Sequence, residues 1–122
     1  MIMGQAQVVR PSRGEVWMVR FNPQVGAEIE KLRPAVVISI DAVGRLPLRI
    51  VVPVTDWKPN YEMSPWLIHL KHAQTNGLSK ESAADAFQVK SVSLQRFDRC
   101  IGRVSADQLD EIAQAVALCI GV

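Results

Sequence analysis

Two largely apolar runs dominate the first half of the chain. Residues 34–40 (Pro-Ala-Val-Val-Ile-Ser-Ile) and 48–55 (Leu-Arg-Ile-Val-Val-Pro-Val-Thr) are rich in β-branched side chains, and their continuous apolarity is the pattern of strands buried on both faces. The segment between them, 41–47, contains the breakers Gly44 and Pro47, so the two runs are expected to pair as a hairpin. Upstream, residues 14–21 (Gly-Glu-Val-Trp-Met-Val-Arg-Phe) follow the breaker segment Pro11-Ser12-Arg13-Gly14 and predict a first strand with Trp17 in the core. Residues 22–32 mix Pro23 and Gly26 with charges and no steady period, which reads as a long loop of the kind that carries function.

Further along, residues 66–70 predict another strand and Asn76-Gly77 a turn. Residues 84–94 alternate well enough for a single longer strand, with Phe87, Val89 and Val92 as core candidates. The pattern changes at Ser105, where Leu109, Ile112, Ala113, Val116 and Ile120 recur at three- and four-residue steps along one helical face. Ser105 with Gln108 matches a capping box, Asp107 and Asp110 favour the positive end of the helix dipole, and Gly121 suits the stop. The expectation is a mainly β fold with a C-terminal helix (α+β), its sheet strongly bent or closed into a small barrel. One domain covers residues 1–122, with 1–12 a loose N-terminal extension.

Composition narrows the class without naming a function. Of 122 residues 48% are hydrophobic and 21% charged, which places the chain among ordinary globular proteins and away from disordered ones. The apolar runs are too short to cross a bilayer, and residues 1–10 lack a secretory apolar segment, so a cytoplasmic location is expected. Cys100 and Cys119 belong to no metal-ligand cluster and read as reduced, partly buried thiols. Phosphate-cradling glycine motifs and a serine elbow are absent, and His69 and His72, in or just after a predicted strand, read as structural. The net charge of +2 leans mildly toward nucleic acid.

The informative stretch is Gly26-Ala27-Glu28-Ile29-Glu30-Lys31-Leu32-Arg33-Pro34, a charged segment running straight into an apolar strand. Pro34 restricts Arg33 to extended conformations, so its guanidinium is held at the strand mouth, a position suited to phosphate. The alternative is an ordinary surface ion pair with Glu28 or Glu30.

With these residues in place, the chain resembles the MazF/PemK toxin family, to which Kid and the CcdB-like toxins are related. Its members open with Gly-Glu/Asp-Val-Trp, here residues 14–17, carry Gly-x-Glu before an Arg-Pro step, here Gly26 to Glu28 and Arg33-Pro34, and then show Pro-x-Thr/Ser, here Pro53-Val54-Thr55. A later family signature resembles Gln88-Val89-Lys90-Ser91. The ordered set spans roughly residues 12–120. The resemblance implies an SH3-like small β-barrel of the MazF/CcdB type, a homodimer, and a type II toxin silenced by an antitoxin. It further implies metal-independent, sequence-selective cleavage of single-stranded RNA, with no cofactor. By motif position Arg33 and Thr55 are the catalytic residues and Glu28 the loop glutamate.

Chemistry agrees with those assignments. Metal-free RNA cleavage uses the 2′-hydroxyl as nucleophile and leaves a 2′,3′-cyclic phosphate and a 5′-hydroxyl. Arg33 would stabilise charge on the phosphorane through paired donors, Thr55 would donate a hydroxyl, and Glu28 would accept the proton, since arginine stays protonated. The general acid is left open, and a backbone-satisfied strand-end threonine is the plain alternative for Thr55. Gln88 and Lys90 would share one strand face and, with Ser91, contact RNA, unless that face is merely solvated. Trp57 and Lys58, near Asn60 and Tyr61, would form a stacking platform or else cover the core. Phe87 stands where the family often has an acidic residue close to the glutamine, so the recognised RNA sequence is expected to differ. The arginine-rich run 94–99 would add a basic rim or solvate a turn. Two other functions fit such a barrel, a CcdB-like module that inhibits a protein such as gyrase and a plain single-stranded RNA-binding domain.

Overall fold

A computed structural model describes residues 9–21 and 31–122. Seven strands and a helix follow in order: β1 (Glu15–Phe21), β2 (Lys31–Val37), β3 (Leu48–Asp56), β4 (Leu67–Leu70), β5 (Ser82–Asp85), β6 (Lys90–Ser93), β7 (Phe97–Arg103) and α1 (Ala106–Cys119). All pairings are antiparallel, in the order β4-β5-β3-β2-β1-β7, with β6 added to β3. The long β3 organises the sheet. Along one edge it meets β2; along the other it pairs first with β6 over residues 48–51 and then with β5 over residues 54–56.

The apolar runs are buried on both faces at Ala35, Val36, Val37, Val51, Val52 and Val54, whereas Ile40, Leu48 and Ile50 at their hairpin ends are exposed. Val16, Val36, Val52 and Val54 face one core with Leu70, Leu78, Ala84, Val104 and Ile112 of α1. Val19, Ala35, Val37 and Val51 face a second core with Phe97, against which Trp17 and Phe21 pack. The helix is capped as read: Ser105 accepts from the Gln108 amide at 3.1 Å while the Gln108 side chain accepts from the Ser105 amide at 3.1 Å. Gly121 ends it at φ +77°, and Ile120 is exposed instead of completing the buried face.

Residues 9–12 are tied to the body. Arg49 is buried among backbone carbonyls, donating to Pro11 O at 2.9 Å and to Leu46 O and Leu48 O at 2.8 Å each. Its guanidinium thus satisfies three acceptors at the hairpin mouth. Arg49→Met is expected to cost about 1–3 kcal/mol by leaving those carbonyls unpaired, a loss readable as a lower urea midpoint.

Three expectations are corrected. The strand predicted over 84–94 is broken into β5 and β6 by a 3-10 turn at Ala86–Gln88, because the Asp85 carboxylate accepts from the Phe87 amide and from the Gln88 side chain, both at 3.2 Å. Phe87 is therefore not a core residue: it is 63% exposed and meets Trp66 edge-on at 5.6 Å. Strand β7 had no clear signal, since its charges (Asp98, Arg99, Arg103) are those of a sheet edge, and its pairing with β1 is interrupted by two register shifts. Lys31 and Leu32, read as loop, begin β2; the remainder of that loop lies outside the described residues.

Candidate active site

Strands β2 and β3 pair only over three positions, from Val37 with Val51 to Ala35 with Pro53. Beyond them β2 stays with β1, whereas β3 turns toward β5. Two prolines, Pro34 and Pro53, stand where the ladder ends, and neither has an amide hydrogen to extend it. Past this fork the strands leave a cleft of about 640 Å³. Met18, Arg33 and Pro34 form one wall, Val54, Thr55, Asp56 and Lys58 the second, and residues from the 77–82 segment and from β7 the rest.

Arg33 and Thr55 thus line the same concavity. Continuing the β2–β3 register by two residues sets them opposite one another. Arg33 is exposed, and among the described residues no carboxylate pairs with it. The cleft lining carries four cations, Arg33, Lys58, Lys80 and Arg99, against one carboxylate, Asp56. Lys80 pairs with Asp56 at 3.0 Å, and Arg99 with Asp98 at 3.0 Å. The lining therefore carries an excess of positive charge, which favours an anion.

The other residues singled out in the sequence are distributed over several places. Glu28 lies outside the described residues. Lys58 lines the cleft, while its neighbour Trp57 packs against Tyr61 and His69. Lys90 and Ser91 border a second, smaller concavity of about 260 Å³ with Arg20, Phe21, Val92, Ser93 and Arg96, where the Lys90 ammonium sits 5.1 Å from the Phe21 ring centre. Gln88 is in the 3-10 turn, held by Asp85, and so does not share a strand face with Lys90. Cys100 is exposed, not partly buried. Desolvation is the main cause raising the thiol pKa of both Cys100 and Cys119, so neither is a thiolate nucleophile at neutral pH.

Several wall residues were not foreseen. Gly77, Leu78, Ser79 and Lys80 reach the cleft because the buried Asn76 shapes the loop before them: its side-chain oxygen accepts from the Ala73 and Leu78 amides at 3.0 Å each, and its nitrogen donates to Lys71 O at 2.9 Å. The Asn76-Gly77 turn signal was visible, but nothing local says which strands it meets. Arg99 belongs to the arginine-rich run 94–99, and of its arginines it alone lines this cleft.

Comparison with known proteins follows the same outline. The family model described as a PemK-like, MazF-like toxin of type II toxin-antitoxin system matches residues 12–120. Endoribonuclease MazF9 of Mycobacterium tuberculosis is 38% identical over 112 residues, covering 87% of this chain and 92% of that protein. The crystal structure of MazF from Deinococcus radiodurans superposes with a TM-score of 0.75 at 27% identity, over 93% of this chain and 99% of that one. A MazE-MazF crystal structure from the same organism gives 0.73 at 26% identity, with the same coverage of 93% and 99%.

Proposed function

The chain belongs to the PemK-like, MazF-like toxin family of type II toxin–antitoxin systems, and from that premise we propose that its forked-strand cleft cuts single-stranded RNA without a metal. It is a toxin endoribonuclease; the cleavage chemistry is the further step. The observation that carries it is Arg33 and Thr55 facing one cationic cleft at the end of the β2–β3 ladder.

A scissile phosphodiester seated there meets the Arg33 guanidinium, whose parallel donors match two phosphate oxygens and grow stronger as the phosphorane gathers charge. Thr55 donates its hydroxyl to the same phosphate. The 2′-hydroxyl oxygen bonds to phosphorus as its proton passes to Glu28, the P–O5′ bond breaks, and the leaving 5′-oxygen takes a proton from water, giving a 2′,3′-cyclic phosphate and a 5′-hydroxyl. Lys58, Lys80 and Arg99 neutralise flanking phosphates. Gln88, Lys90 and Ser91 meet the RNA away from the cut, where Lys90 and Ser91 border the second concavity.

The active species is a homodimer acting on cytoplasmic RNA, and a cognate antitoxin silences it; the MazE-MazF complex among similar structures supports that partner. Among the described residues no helix is long and apolar enough to cross a membrane.

Two measurements test this reading. Purified protein incubated with a long RNA in a chelator should generate discrete new 5′-hydroxyl ends at a recurring sequence, and intact RNA would refute the proposal. Separately, RNA affinity should fall steeply with salt, and Lys58→Ala should lower the log–log slope by about 0.7, the share of one phosphate on a single strand. An unchanged slope would remove Lys58 from the phosphate path.

A further inference from the structure

Beside the cleft stands an aromatic cluster that the cleavage chemistry leaves unused. Thr55 pairs with Ala83, and Ala83 pairs with His69, so the three side chains form one row on one face of β3, β5 and β4. The ladder extends one row further, where the Trp57 amide donates to the Glu81 carbonyl at 3.1 Å. Trp57 therefore lies diagonally across β5 from His69. Its ring stacks on the imidazole with centroids 4.1 Å apart and planes 13° from parallel. Rings can meet across the middle strand because the residue between them is only an alanine, the fully buried Ala83. Tyr61 meets Trp57 edge-on at 5.8 Å.

The imidazole is fixed from another side as well. Glu81 hydrogen-bonds His69 Nε2, and its second oxygen lies 3.8 Å from His72 Nδ1. Yet 37% of the His69 side chain remains exposed. Fixing a solvent-facing ring in one plane costs side-chain entropy and contributes little to a core, so the arrangement is better explained by what the ring can receive. Neighbouring strands are about 4.8 Å apart, which sets His69 roughly 10 Å from Thr55 across the sheet. Lys58 and Lys80, next in the chain to Trp57 and Glu81, line the cleft.

We propose that the Trp57–His69 stack is a nucleobase subsite, in which the imidazole stacks on the base of the nucleotide flanking the scissile phosphate. The inference rests on the nuclease reading of the Arg33–Thr55 cleft. Base-on-aromatic stacking is how single strands are held with little regard to sequence. His69 makes the contact; Trp57 and Glu81 are positioning residues that set its plane.

The test compares wild type, His69→Ala and His69→Phe in two assays: steady-state cleavage of a short RNA, and binding of its non-cleavable all-2′-deoxy counterpart by fluorescence anisotropy. His69→Ala should raise KM and weaken oligonucleotide binding by roughly 5- to 150-fold, the range for loss of one stacked base, with kcat little changed. His69→Phe should restore both, because it keeps a flat ring and discards only the imidazole nitrogens. Unchanged KM and affinity in His69→Ala, or no rescue by phenylalanine, overturns the subsite while leaving the nuclease reading intact. If wild type cuts no RNA but binding still depends on the ring at residue 69, the nuclease reading falls, and with it the assignment of this stack to a base beside a scissile phosphate.

Discussion

Arg33→Ala is expected to lower kcat for RNA cleavage by about 10²–10³-fold, the usual cost of deleting one preorganised donor to a developing oxyanion. The side chain is exposed at a strand mouth, so its removal should change stability by no more than about 0.5 kcal/mol. Activity and melting temperature therefore separate, and a variant that loses the first while keeping the second identifies a chemical role. Arg33→Lys sharpens the test, because it retains the charge and discards the planar fork; it should recover only part of the rate. Thr55→Val keeps the shape of the threonine and deletes its hydroxyl, and should show a smaller loss in kcat with the same fold. Full activity in Arg33→Ala on a purified single-stranded RNA would sink the assigned mechanism.

The second large effect is expected at a residue with no side chain to offer chemistry, Gly77 in the cleft wall. Gly77 has φ +72°, and a Cβ built there would lie 2.0 Å from the Ile101 carbonyl oxygen. Gly102 answers it from β7, where a Cβ would lie 2.4 Å from the Asn76 carbonyl carbon. The loop and the strand thus touch backbone to backbone, with the Arg103 amide donating to Thr75 O at 2.8 Å. Gly77→Ala combines a left-handed conformation, costing about 1–2 kcal/mol, with overpacking against backbone, costing about 1–3 kcal/mol. A fall in melting temperature of at least about 8 °C should follow, together with weakened RNA binding, since this loop carries Leu78, Ser79 and Lys80 into the cleft wall. Gly121→Ala is the control: the glycine has a similar φ of +77°, but nothing lies within 4 Å of its added Cβ. A melting temperature for Gly77→Ala equal to that of Gly121→Ala would mean the loop yields without cost, contrary to this account.

The elements that could be read without coordinates are those whose cause is local. The residues around Val36 and Val52 are apolar because both sheet faces are covered there, and the boundaries of α1 follow from Ser105 with Gln108 at one end and Gly121 at the other. Arg33 and Thr55 were legible as candidates for the same reason: each belongs to a short motif at a strand end, one pinned by Pro34 and the other following Pro53. Where local hydrogen bonding competed with periodicity the reading failed, as at Asp85, whose carboxylate captured the Phe87 amide and broke a strand that alternation had made continuous.

By itself, then, the order of residues determined that this chain builds strands first and a capped helix last, in the motif order of one toxin family. It also marked Arg33, next to Pro34 at a strand mouth, as a candidate for meeting a phosphate. Only the tertiary structure decided that β2 and β3 part after three paired positions, that Lys80 and Arg99 come to the gap, and that Trp57 reaches across Ala83 to His69. Propensities and caps act over a few residues. Register and the close passage of Gly77 against Ile101 are instead set by which side chains can be buried together across distant parts of the chain.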